Sequence, residues 1–135
     1  MSKKEIPFNR ILIVDDSEVD LFIAHSLLKR HKPSICIYHA KSVDCALDMI
    51  KGFSLAEMPD LVILDLHFER QEKQGKDFLK EFRTLFPGQS ASAKIIALTA
   101  FSTFSDVNNF VKNFSHIPVL KKPFAVEMLM GIHSK

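Results

Sequence analysis

The 135-residue chain has only two cysteines, Cys36 and Cys45. Together with His39 they match no closed four-ligand pattern, so neither a disulfide scaffold nor a structural zinc site organises the fold. Strong charge of one sign is also lacking. Eighteen Lys and Arg against sixteen Asp and Glu leave a net +2, too little to make nucleic acid or an anionic membrane the main partner. No apolar run approaches a membrane span, and Met1-Ser2-Lys3-Lys4-Glu5 has no apolar signal-peptide core. These absences lead to the expectation of a cytoplasmic protein with reduced thiols. Internal repeats and linker-like tracts are missing too. What is present is a globular mix, 47% apolar and 25% charged, in a length suited to one domain. Residues 1–9 read as a short polar lead-in, and 10–135 as the domain.

Five apolar runs alternate with five helical patterns. Arg10 to Val14 is a β-branched-rich strand ending on Asp15-Asp16. Ser17 is a plausible N-cap, with Glu18 and Asp20 in the first turn, where the helix dipole favours acids. Val19, Phe22, Ile23 and Leu27 recur at helical spacing and are expected to be the buried stripe. Lys29-Arg30-His31-Lys32 suits a last helical turn stopped by Pro33 better than a nucleic-acid patch. Ile35 to His39 is a second strand, and Ser42 caps a helix with Val43, Ala46, Leu47 and Ile50 inward. Pro59-Asp60 introduces Leu61-Val62-Ile63-Leu64-Asp65-Leu66, an unbroken run expected to be a strand buried on both faces. A polar loop to Gly75 leads to a helix burying Phe78, Leu79, Phe82, Leu85 and Phe86. Lys94 to Leu98 is a fourth strand ending on Thr99, and Ser102 to Asn113 a fourth helix. Ile117 to Leu120 is a fifth strand, placed at a sheet edge by Pro118. It closes on Lys121-Lys122-Pro123, ahead of a last helix with Phe124, Met128, Leu129 and Ile132.

Strands alternating with helices call for an α/β fold, a doubly wound five-stranded parallel sheet with helices on both faces. In such a sheet the C-terminal strand ends share one edge, where ligands bind at the topological switch point. Asp15-Asp16, Asp65, Thr99 and Lys122 stand at four of the five ends. Three carboxylates this close need a compensating cation, and oxygen-only ligands suit Mg2+. A carboxylate held beside such a metal can act as nucleophile toward a phosphoryl group. Lys122 and Thr99 can then contact the phosphoryl oxygens.

Four segments carry a resemblance to a known family: Ile-Leu-Ile-Val-Asp15-Asp16, Leu-Val-Ile-Leu-Asp65, Ala-Leu-Thr99-Ala100 and Leu-Lys-Lys122-Pro123-Phe124. In that order and near those spacings, the chain resembles a receiver domain of a two-component response regulator, of the stand-alone, chemotaxis-regulator-like kind, from Arg10 to Ile132. The resemblance implies a flavodoxin-like fold with strand order 2-1-3-4-5. It implies that Asp65 accepts a phosphoryl group from a sensor histidine kinase or histidine phosphotransfer protein. Asp15, Asp16, Asp65 and the backbone carbonyl of His67 would hold Mg2+, and Thr99 and Lys122 would read the phosphoryl oxygens. Ala100 would keep the approach open, and the Lys122–Pro123 bond is commonly cis in the family. The output would be altered affinity for a downstream protein, through the face of the fourth helix, fifth strand and fifth helix. Phe104, Phe110 and Phe114 there read either as an apolar patch or, for at least two of them, as core. The protein would be a signalling switch rather than an enzyme, with slow self-dephosphorylation at most, and a monomer or weak dimer.

The sequence also departs from the family pattern. Val119 stands where an aromatic switch residue is usual. The loop after Asp65 lacks the frequent Met-Pro and is about two residues longer. His67 and Phe101 occupy positions that tune phosphoryl lifetime in the family; the other reading of His67 is a solvated loop histidine. Three other functions compete with this one. A receiver-like binding module independent of phosphorylation is the alternative that the residues leave open. A phosphohydrolase resembling the haloacid-dehalogenase family would need an acid two residues after Asp65, where His67 stands. A flavodoxin-like cofactor binder would want a Gly-, Ser- or Thr-rich loop where Asp15-Asp16 stand.

Overall fold

The computed structural model describes residues 5–85, 93–100, 110, 112–114 and 116–130. Five parallel strands form one sheet: β1 (Arg10–Val14), β2 (Cys36–Ala40), β3 (Leu61–Asp65), β4 (Lys94–Thr99) and β5 (Val119–Lys121), in spatial order β2-β1-β3-β4-β5. Three longer helices, α1 (Glu18–His31), α2 (Val43–Gly52) and α3 (Gly75–Leu85), and a short C-terminal helix, Glu127–Met130, pack on it. The helix expected over 102–113 lies largely outside the described residues. Phe110 and Phe114 at its end are buried, so these two belong to the core reading; Phe104 and Phe101 lie outside the described residues.

The register aligns the strand ends. Val14 pairs with Ala40 and Leu64, Leu64 with Ala97, and Thr99 with Lys121. From β1 the chain goes to one side for β2 and to the other for β3 to β5. The order therefore reverses between β1 and β3, where Asp15 and Asp65 stand. Every residue of β3 is buried, as a central strand covered on both faces requires. Alternate side chains divide between two layers. Leu12, Val14, Val62 and Leu64 join α2 and α3, while Ile11, Ile13, Leu61 and Ile63 join α1 and the C-terminal helix.

The stripe on α1 differs from the expected one. Leu21, Ala24 and Leu28 are buried, Ile23 and Leu27 are half-buried, and Val19 and Phe22 are 67% and 71% exposed. Both sets have helical spacing, so periodicity alone does not choose between them; the sheet's position does. Leu85 is likewise exposed at the end of α3. The first residues are more than a polar lead-in, because Ile6 and Phe8 are fully buried against α1 and β1. The Lys32 ammonium, just past α1, donates to the carbonyls of Ile6 and Phe8 (3.1 and 2.8 Å) and to Asn9 Oδ1 (2.9 Å). The basic run thus contributes one cation to holding this segment, and Lys29, Arg30 and His31 fill the last turn of α1. Among the described residues no helix is long and apolar enough to cross a membrane.

Candidate functional site

The site is built from the turns that follow the strands. After β1, Ser17 N–H donates to Asp15 Oδ1 (2.9 Å), and Ser17 Oγ caps α1 by accepting from Asp20 N–H (3.2 Å). These two bonds turn the chain into the helix while keeping the Asp15 carboxylate at the sheet edge. Asp16 lies further out, where its Oδ2 accepts from Glu69 N–H (2.9 Å). At the end of β3, Asp65 Oδ1 accepts from His67 N–H (3.2 Å). Asp15, Asp65 and Thr99 are the buried polar residues among those described. One carboxylate oxygen from each of Asp15, Asp16 and Asp65 lies within 4.8 Å of the others.

Lys122 completes the cluster. Its backbone N–H donates to Thr99 carbonyl oxygen (2.8 Å), and the Lys122–Pro123 bond is cis. Its ammonium donates to Asp20 Oδ2 (2.7 Å) and Asp15 Oδ2 (2.9 Å), and lies 3.6 Å from Asp65 Oδ1. Burial works against the ammonium. The hydrogen bonds to Asp20 and Asp15 and the charges of Asp65 and Asp15 outweigh it and hold Lys122 above its usual value. For Asp65 the balance goes the other way. Burial first, and then the charge of Asp15, raise its carboxyl from 3.8 to about 7, against the lowering pull of Lys122 and the His67 N–H. One ammonium is not enough cation for this many carboxylates.

The loop after Asp65 is ordered by a side chain that sequence inspection passed over. Gln74 Oε1 accepts from Phe68 N–H (2.7 Å), while its Nε2 donates to the carbonyls of Phe68 (2.9 Å) and Gln71 (2.8 Å). This clamp keeps Phe68 in the core and fixes the neighbouring His67 main chain; the His67 side chain is exposed. Gly75 is a second such residue. A Cβ there would stand 2.6 Å from the Asp65 carbonyl oxygen and 2.9 Å from Leu66 Cα, so only glycine lets α3 start this close to the end of β3. Val119 opens β5, opposite Ala97, half-buried against the α2–α3 layer.

The whole arrangement has counterparts. Residues 11–133 match the response regulator receiver domain family. The chain belongs to that family. Solved structures similar to this receiver include a response regulator receiver protein from Dyadobacter fermentans DSM 18053, at 26% identity and TM-score 0.74, with 90% of this chain and 91% of that one covered. A two component response regulator from Cytophaga hutchinsonii aligns at 14% identity and TM-score 0.79 over 90% and 91% of the two chains. A CheY-like receiver domain protein from Methanospirillum hungatei JF-1 aligns at 22% identity and TM-score 0.69 over 90% and 87%. No curated protein matches the chain at a comparable level. Receiver domains are signalling domains of two-component systems, generally not classical enzymes, and generally bind Mg2+ at an acidic pocket. An Asp cluster of that kind is present here.

Proposed function

We propose that this receiver is a phosphorylation-dependent switch in which Asp65 accepts a phosphoryl group. The observation that carries the reading is the setting of Asp65. It is a buried carboxylate at the end of the central strand, within reach of Asp15, Asp16 and Lys122, with its carboxyl raised to about 7. The Lys122 ammonium alone does not compensate the carboxylates gathered here, and hard oxygen donors fit Mg2+ better than a softer ion. Asp15, Asp16, Asp65 and the His67 carbonyl would hold that ion. When bound, Mg2+ neutralises the carboxylates and the incoming phosphoryl oxygens.

The chain's own residues account for the rest. A carboxylate oxygen of Asp65 forms a bond to phosphorus as the P–N bond of a donor phosphohistidine breaks, and the imidazole nitrogen leaves with the electron pair. Lys122 and the Thr99 hydroxyl then hold phosphoryl oxygens. The added negative charge rearranges the groups around it, and affinity for a downstream protein changes. The donor would be a sensor histidine kinase or histidine phosphotransfer protein, in the cytoplasm.

The test is incubation with Mg2+ and acetyl phosphate, followed by intact mass, alongside an Asp65→Asn sample. A phosphate-sized gain lost in the variant is expected. No gain with any small donor, under conditions where Mg2+ binds, would replace this reading with the binding module that works independently of phosphorylation.

A further inference from the structure

Lys122 has one partner that the proposed chemistry does not use. Asp20 sits in the first turn of α1, outside the Asp15, Asp16 and Asp65 cluster, yet it makes the shortest contact to the ammonium, 2.7 Å against 2.9 Å to Asp15 and 3.6 Å to Asp65. Asp20, Asp65 and Lys122 line one narrow cleft whose other walls include Ile23, Leu98 and Phe124. Those apolar walls keep the ion pair from being fully solvated. An acid in the first turn of α1 suits the helix dipole, which by itself sets no aim toward Lys122. The Ser17 N–H, from which a capping-box acid at this position would accept, already donates to Asp15 Oδ1, so the Asp20 carboxylate is left to face the cleft.

We infer that Asp20 is a positioning residue that takes the closest hold on the Lys122 ammonium in the resting protein, 2.7 Å against 3.6 Å to Asp65, and competes with the phosphoryl group for it. The inference rests on the reading that Lys122 contacts the phosphoryl group. When a divalent cation occupies the acidic cluster, the charge of Asp15 and Asp65 is compensated and their hold on Lys122 weakens. Asp20 lies outside that cluster and keeps its hold. An incoming phosphoryl group must therefore draw the ammonium from Asp20, so the strength of this ion pair sets part of the affinity for phosphoryl-like ligands. The Asp20 side chain is 37% exposed, so solvent screens the pair and the effect is modest.

The experiment is titration of beryllofluoride, a phosphoryl mimic, at saturating Mg2+, followed by 19F NMR, on wild type, Asp20→Asn and Glu18→Gln. Removing the Asp20 charge is expected to tighten binding about fivefold, the size of an exposed-pair interaction. Glu18 shares the first turn of α1 but pairs with Lys41, so Glu18→Gln should stay within about twofold of wild type as the control for diffuse charge. Tightening by Asp20→Asn beyond that of Glu18→Gln is the sign of competition, because diffuse charge acts through both variants and a purely structural role for Asp20 makes its variant bind more weakly. Unchanged or weaker binding by Asp20→Asn, or equal tightening by both variants, overturns the inference. Failure of wild type itself to bind the mimic with Mg2+ present overturns the phosphoryl-switch reading, and this inference with it.

Discussion

Replacing Asp65 by Asn should stabilise the metal-free protein at neutral pH, although it removes the carboxylate proposed to accept the phosphoryl group. In the fold the Asp65 carboxyl is raised from 3.8 to about 7. The folded state therefore retains a proton that the unfolded chain loses between roughly pH 4 and pH 7. Stability from this group falls as pH rises through that window, and the full cost is present above it. Each pH unit corresponds to about 1.4 kcal/mol, which sets a ceiling of about 4 kcal/mol. Relaxation around the charge, and the Lys122 ammonium 3.6 Å away, reduce the expected gain to about 1–3 kcal/mol. Asn keeps an oxygen to accept from His67 N–H, so little else is lost. The assay is urea denaturation of wild type and Asp65→Asn in EDTA, at pH 8 and at pH 5. The variant should be more stable at pH 8, with the difference shrinking toward pH 5. Adding Mg2+ should stabilise wild type more than the variant. A variant less stable than wild type at pH 8, or a difference independent of pH, refutes the electrostatic account of the site.

Two further substitutions test the packing that supports the site. Leu21→Ala should cost about 2–5 kcal/mol, whereas Phe22→Ala, on the solvent side of the same turn, should change stability by no more than about 0.5 kcal/mol. Urea midpoints reversed between the two would mean that α1 is rotated relative to the sheet. Gly75→Ala forces a methyl against the backbone of Asp65 and Leu66, which cannot rotate away. It should cost about 1–3 kcal/mol and weaken Mg2+ binding by displacing the end of β3. A variant matching wild type in thermal midpoint and in Mg2+ titration would show that the helix start yields without strain.

The strands were legible because each is a short apolar run closed by turn or charged residues, and burial of the backbone demands that pattern wherever the strand sits. The edge was legible too, since parallel strands must end together and the ionisable residues stood at those ends. Composition concealed the anchoring of the N-terminal segment. Ile6 and Phe8 are single apolar residues in a polar stretch, and only the groove between α1 and β1 gives them a place. The α1 stripe is ambiguous in the sequence for a related reason. A 3.6-residue period marks a face, but two overlapping faces of α1 satisfied it, and only docking on the sheet selects one.

By itself, the order of residues determined the five alternating units, the acidic and basic strand ends and Asp65 as their focus, because those follow from local pattern and the geometry of parallel sheets. Tertiary structure decided how the charges are shared. Asp20 meets Lys122 across 102 residues of chain, Gly75 admits α3 against Asp65, and Gln74 clamps the loop between them. The Asp20–Lys122 and Gly75–Asp65 contacts have no local signature, since each depends on two segments being brought within a few ångströms, whereas the Gln74 clamp closes within six residues of one loop. The electrostatics follow from the same cause: Asp65 becomes a weak acid through burial and the nearness of Asp15, and both exist only once β1 and β3 lie side by side.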